Sequence, residues 1–264
     1  MDLVIADIGT ERFVREGCKP QRRQEKPACC LRPNVPIDRP DPATYSQKQV
    51  LASGGTPTWD SPDILTNFWS PWKLMPESHV TVRNLSGSAS AANVLVSVAF
   101  SPFGIGMPVT ALSSQYVSLA PSAAVELFYP LTQAMLGGEQ LVSVFVDIIH
   151  SADADLSNNH GEQSIVHGLT SKVGRTIDFS FPVRNPAAYP QAMNFVTYAN
   201  TMGFTVTPTS HNFAPLEQII VKGKIKVAPG LHAAPDWIYQ SATMAAFSGG
   251  TLIGGITYVV HIDD

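Results

Sequence analysis

The densest run of side chains able to do chemistry is HSADADLSNNHGEQ, residues 150–163. Within it Asp153, Asp155, Asn159 and Glu162 offer oxygen atoms on one short segment, the ligand type that a hard cation such as Ca2+ takes in sets of about six to eight. The run lacks the glycine at the sixth position and the bidentate glutamate at the twelfth that complete an EF-hand loop. Aspartate and asparagine also close turns by bonding their own backbone without any ion. The segment is therefore read as a structural turn, with Ca2+ as the alternative and no other cofactor expected. His150, His160 and His167 stand ten and seven positions apart, so a transition-metal site would need the fold to bring them together, and isolated histidines at strand ends are the plainer reading. Cys18, Cys29 and Cys30 form no CxxC pair and have no histidine at zinc-ligand spacing. Cys18 can pair with Cys29 or Cys30 in an oxidising compartment, and three reduced thiols is the plainer reading.

Catalytic signatures are missing from the chain. It contains no HExxH, no GxxxxGK[ST], no GxSxG, and no GxGxxG between a strand and a helix. A serine, a histidine and an aspartate can be chosen from any such sequence, but nothing activates a particular serine. The expectation is a protein that is not an enzyme.

Three further features suit binding. Trp59, Phe68, Trp69 and Trp72 are concentrated in one stretch. Exposed, Trp59, Trp69 and Trp72 make a platform for sugars or a protein hot spot; buried, they plug the base of a domain. Lys222, Lys224 and Lys226 alternate along one strand face, which reads as a solvated face or a guard against edge pairing, with an anion contact as the alternative. The segment SGGTLIGGITY carries Gly249, Gly250, Gly254 and Gly255; paired glycines in a strand mark a bulge or a close backbone approach, and no helix follows to make a phosphate cradle.

The elements that must position these residues are strands. DLVIADI (residues 2–8) alternates as one strand; the following stretch, with Pro20, Pro27, Pro33, Pro36, Pro40 and Pro42, holds neither a helix nor a central strand. It reads as an extended arm whose opening strand can add to a sheet edge. From Trp59 onward, HVTVRNLSG, ANVLVSVAFSPFG, QYVSLAPSAAVELFYPL and QLVSVFVDIIH are β-branched or aromatic runs bounded by turn residues. A second set follows at 173–183, 193–198, 203–207, 218–227, 237–247 and 251–261. No segment keeps a helical period. The predicted class is all-β, with two immunoglobulin-like antiparallel β-sandwiches behind a Pro-rich arm: residues 1–57 arm, 58–168 first sandwich, 169–264 second.

Charge narrows the function. Only 14% of the 264 residues are charged, against about 25% in an ordinary globular chain, so surface buried against neighbours is expected. Residues 1–50 hold nine Lys/Arg and seven Asp/Glu; the remainder holds eight and fourteen. No Lys or Arg occurs between Arg83 and Lys172, which argues against a nucleic-acid face on the first sandwich. The N-terminus has no signal-peptide pattern and no window is long enough to span a membrane; a cytoplasmic location and export by a non-classical route both fit.

Val80–Asn84 followed by small polar residues, then Val94–Phe100, then Asp153–Asn159 with its D-x-D-x-x-N-N pattern, resemble bacterial immunoglobulin-like modules of the cell-adhesion-related, CARDB-like kind. The resemblance covers about residues 59–165. FTVTPTSHNFAPLEQIIVKGKIKV in the second half resembles an add-on sandwich found beside bacterial hydrolases. What the resemblance implies is binding, spacing or assembly. Because this chain carries no catalytic domain or leader, a free-standing subunit is expected. It would assemble with copies of itself or dock on a larger protein complex, through its sandwich faces and its arm. The alternative is a carbohydrate- or cell-surface-binding accessory module.

Overall fold

The computed structural model describes residues 38–66, 77–131, 141–199, 203–227 and 239–263. The chain divides into two units, residues 1–37 and Asp38–Asp264. The expected opening strand and Cys18, Cys29 and Cys30 lie outside the described residues, as do Phe68, Trp69 and Trp72.

The second unit is all-β. Its elements run β1 (Pro42–Ala43), α1 (Gln47–Ala52), β2 (Ile64–Leu65), β3 (Glu77–Asn84), β4 (Ala91–Pro102), β5 (Thr110–Leu119), β6 (Ala124–Pro130), β7 (Val142–Ile149) and β8 (His160–Gln163), then β9 (Ile165–Lys172), β10 (Thr176–Arg184), β11 (Gln191–Ala199), β12 (Gly203–Thr207), β13 (Ser210–Phe213), β14 (Gln218–Lys226), β15 (Tyr239–Ser248) and β16 (Thr251–Asp263). Among the described residues no helix is long and apolar enough to cross a membrane.

Two sandwiches result. In the first, β3 pairs with β1, β2 and β6 in one sheet, and the other sheet runs β5-β4-β7-β8. Alternation along β4 buries Val94, Val96, Val98 and Phe100, and along β7 Val142, Val144, Val146 and Ile148; these meet Val80, Val82, Leu127 and Tyr129 of the opposite sheet. In the second, sheet β10-β14-β12 faces sheet β13-β11-β15-β16-β9 across a core of Phe181, Val221, Ile225, Met193, Met244, Ile256 and Tyr258. All pairings within the sheets are antiparallel except that of β9 with β16, which is parallel.

The two sandwiches carry a common mark. Val82-Arg83-Asn84 ends β3, and Val183-Arg184-Asn185 ends β10 and runs just beyond it. In each, the asparagine is buried and its amide satisfies the turn that follows. Asn84 Nδ2 donates to the carbonyls of Ala89 (2.7 Å) and Ala120 (3.1 Å), and Asn185 Nδ2 donates to those of Tyr189 (2.8 Å) and Ala214 (2.9 Å). A side-chain amide can serve two orphan carbonyls at once, which is why the same residue closes the same corner in both halves.

Residues 38–57, expected in the arm, are built into the first sandwich instead. β1 pairs with the end of β3, Ser46 caps the short helix α1, and the backbone N–H of Leu85 donates to Asp41 O at 2.8 Å. The prolines that forbid regular structure here leave the chain extended enough to lie along the sheet edge.

Candidate interaction surfaces

The loop at 150–163, read from sequence as a structural turn with Ca2+ as the alternative, is a fastening. Asp153 Oδ1 accepts from Asp155 N at 3.0 Å, and its Oδ2 accepts from Asn159 Nδ2 at 2.9 Å. Asp155 Oδ1 accepts from Ser157 N (2.9 Å), and its Oδ2 from Gln49 Nε2 (3.3 Å). Hydrogen bonds from Ser157 hold the Asp155 carboxyl below its ordinary value. The same loop grips the incoming chain: Asn158 O accepts from Thr44 N (3.1 Å), Ser157 O from Ser46 Oγ (2.9 Å) and Ala152 O from Arg39 Nε (3.1 Å). Glu162 is not with this set, because its carboxylate accepts from Trp59. Among the described residues no three His, Cys, Asp or Glu side chains are arranged to hold a metal ion. The nearby histidines have separate partners: His160 Nδ1 lies 2.7 Å from Asp147, His150 Nε2 3.1 Å from Ala92 O, and His167 Nε2 4.0 Å from Asp60.

Trp59 is fully buried, at 0% exposure, so it offers no face to a ligand. It sits where the two sandwiches join. Its Nε1 donates to Glu162 Oε2 at 2.7 Å, its N donates to Thr257 Oγ1 at 2.8 Å, and its O accepts from Ser164 N at 2.9 Å. The indole ring lies on β16 where Gly255 has no side chain; a Cβ there would stand 2.6 Å from ring carbons. This is the close approach that the paired glycines signalled. Burial pushes the Glu162 carboxyl up to about 7, against the opposing pull of the indole N–H and of His160. The Gln47 side chain donates to Glu162 O at 2.6 Å and accepts from Glu162 N at 3.3 Å, closing the outer edge of β8 as another strand would.

A second joint lies in the β4–β5 connection. Ile105 leaves the first sandwich, bridges to Val183 in β10, and is fully buried in the second core.

At the opposite edge of the sheet β5-β4-β7-β8 lies β5. Among the described residues β5 pairs only with β4. Its ten residues, TALSSQYVSL, contain no charge and no proline. The outward face beside it carries a single carboxylate, Asp147. Leu95 of β4 is flanked by Tyr116 on one side and Ile149 on the other, exposed to 73% and 60%. The next outward row is Ser114, Ser97 and Asp147, and Asp147 is occupied by His160. The whole of β4, β5, β7 and β8 falls within the stretch free of Lys and Arg. That gap was visible in the sequence; that it coincides with one complete sheet was not.

No family model and no curated protein matches the chain. Among solved structures the chain is similar to red sea bream transglutaminase, at 10% identity and TM-score 0.27 over 71% of this chain and 29% of that one. It is similar also to Escherichia coli alpha-2-macroglobulin activated by porcine elastase, at 11% identity and TM-score 0.30 over 85% and 22%. A third likeness is to the CupB6 tip adhesin of Pseudomonas aeruginosa, at 8% identity and TM-score 0.25 over 85% and 98%. The chain spans less than a third of the transglutaminase and macroglobulin chains. At such scores the all-β sandwich fold rests on the strand pairings given above.

Proposed function

We propose that this protein is a non-catalytic assembly protein that pairs with a second copy of itself along the edge of β5. The observation that carries the reading is a ten-residue edge strand with no charged residue, in a sheet without a single lysine or arginine. Natural edge strands are normally blunted by Lys, Pro, a bulge or a covering element, because an open row of N–H and C=O groups templates pairing. An edge with neither Lys nor Pro suits strand addition, even with a one-residue register shift against β4 at Leu112 and the Gln115 side chain donating to Phe128 O of β6 at 2.6 Å. Two copies of one edge meet antiparallel across a two-fold axis with no net charge to oppose them. Tyr116, Leu95 and Ile149 then supply the apolar anchor beside the seam. The resemblance to CARDB-like modules points the same way. Docking of the same edge on another protein of a larger complex uses the same chemistry.

Light scattering after size exclusion tests this on the full chain and on Ser114→Lys/Tyr116→Lys. The native chain is expected to run as a dimer or larger species, and the variant as a folded monomer with an unchanged melt. A native chain that stays monomeric at high concentration, or a variant that assembles normally, overturns the reading.

A further inference from the structure

The outer face of sheet β10-β14-β12 is a basic strip on an acidic protein. Lys222, Lys224 and Lys226 are not on an edge: β14 is the central strand, paired along its length with β10 and over residues 222–226 with β12. Guarding an edge is therefore not their role. They stand in one exposed row at two-residue spacing, about 7 Å apart along the strand, close enough to repel one another. Asp178 lies 3.6 Å from Lys224; among the described residues no carboxylate pairs with Lys222 or Lys226. Arg184 continues the same face four cross-strand positions beyond Lys222.

The flanks of the row are hydroxyls. Cross-strand register sets Ser180 and Thr207 beside Lys222, and Asp178 and Thr205 beside Lys224. These side chains border a cavity of about 460 Å3, within the range that accommodates a small organic ligand. Among the described residues no outward position of this face holds an aromatic; Phe179 also lines the cavity, but its ring stacks on Phe181 and Phe204.

We infer that this face binds an acidic polysaccharide laid along β14. A linear row of ammonium groups matches a polymer carrying repeated carboxylates better than it matches one compact anion. The flanking hydroxyls give a sugar's own hydroxyls partners. A single-stranded nucleic acid would also answer the charge, but its binding sites stack bases on exposed aromatic rings, and among the described residues no outward position of this face holds one. Of the tryptophans expected to hold sugar, Trp59 is buried, and Trp69 and Trp72 lie outside the described residues; the chemistry of the β14 face is ionic and independent of them. The site is separate from the β5 edge, so it stands or falls apart from the assembly reading.

The test is titration calorimetry on the full chain at low salt with a hexamer of galacturonate. A neutral maltohexaose and a single-stranded oligothymidine serve as comparisons. Lys222→Gln/Lys226→Gln and Thr205→Val/Thr207→Val are the variants, and Lys48→Gln is a distant control. The galacturonate oligomer is expected to bind, at least tenfold more weakly to the lysine variant and several-fold more weakly to the threonine variant. Lys48→Gln should leave it unchanged, and the neutral sugar should not bind. No binding of the acidic sugar, or binding indifferent to the lysines, overturns the proposal. So does oligothymidine binding as tightly as the sugar.

Discussion

Glu162 and Trp59 form a pair whose energetics depend on pH. The carboxyl is buried, and although the Trp59 indole N–H and His160 favour its charged form, burial outweighs both, so ionising it inside the protein is costly. Its folded value of about 7 exceeds the ordinary 4.5. Between those limits the folded state holds a proton that the unfolded chain has released. Stability therefore falls as pH rises through that window, by about 3 kcal/mol in all. His160 is raised by the Asp147 hydrogen bond, and it too contributes stability that is lost with rising pH, but above its unfolded value near 6.5. Glu162→Gln keeps an oxygen for the indole and removes the titration. Denaturant midpoints at pH 5 and pH 8 should then differ clearly less in the variant than in the native chain, with the His160 share remaining. An identical pH difference in both proteins would sink the assignment of the slope to Glu162. Trp59→Ala, by contrast, should cost about 3–5 kcal/mol at either pH, as removal of a fully buried ring does, measured by the same denaturant titrations.

At the scale of elements, β16 shows what a close approach demands. Gly255 leaves room for the Trp59 ring, and a methyl group there would also stand 2.5 Å from Met244 O in the paired strand β15. Backbone cannot yield as a flexible side chain can, so Gly255→Ala is expected to lose about 1–3 kcal/mol and to shift the tryptophan emission. A melt within half a degree of native would show that the ring is not held there. The paired glycines announced such a contact from sequence alone, but not its partner, which lies almost two hundred residues upstream. The strands themselves were legible for a similar reason: period-two alternation records which face is buried, and β4, β7 and β14 show it plainly. What alternation cannot record is order across a sheet, so Lys222, Lys224 and Lys226 allowed an edge reading that pairing on both sides excludes. Residues 38–57 were read as arm because proline forbids long strands, whereas a two-residue bridge and a six-residue helix need little regular sequence. The Val-Arg-Asn repeat at 82–84 and 183–185 took on meaning only with the fold, where it marks the same corner in both sandwiches.

At the scale of the molecule, two sandwiches on one chain are ordinarily free to move unless a substantial apolar contact joins them. Here the contact is made by residues that leave one sandwich to complete the other. Ile105 belongs by sequence to the β4–β5 connection, yet it is fully buried among the second core's side chains. Ile105 N donates to Pro182 O (3.1 Å), and its O accepts from Arg184 N (2.9 Å), so the loop is held as a strand would be. Trp59 and Thr257 make the matching joint on the other side. The second sandwich thus lacks part of its core whenever the first is unfolded. A calorimetric scan of the native chain should show one cooperative transition for residues 38–264, with the van't Hoff and calorimetric enthalpies in agreement. Ile105→Ala leaves a cavity in the second core, and removing a buried isoleucine to alanine costs about 2–5 kcal/mol. Because it also cuts the link, the expected result is a second sandwich that melts first and separates from the other transition. Two well-separated transitions in the native chain would instead show that each sandwich completes its own core, and that Ile105 is packing without coupling.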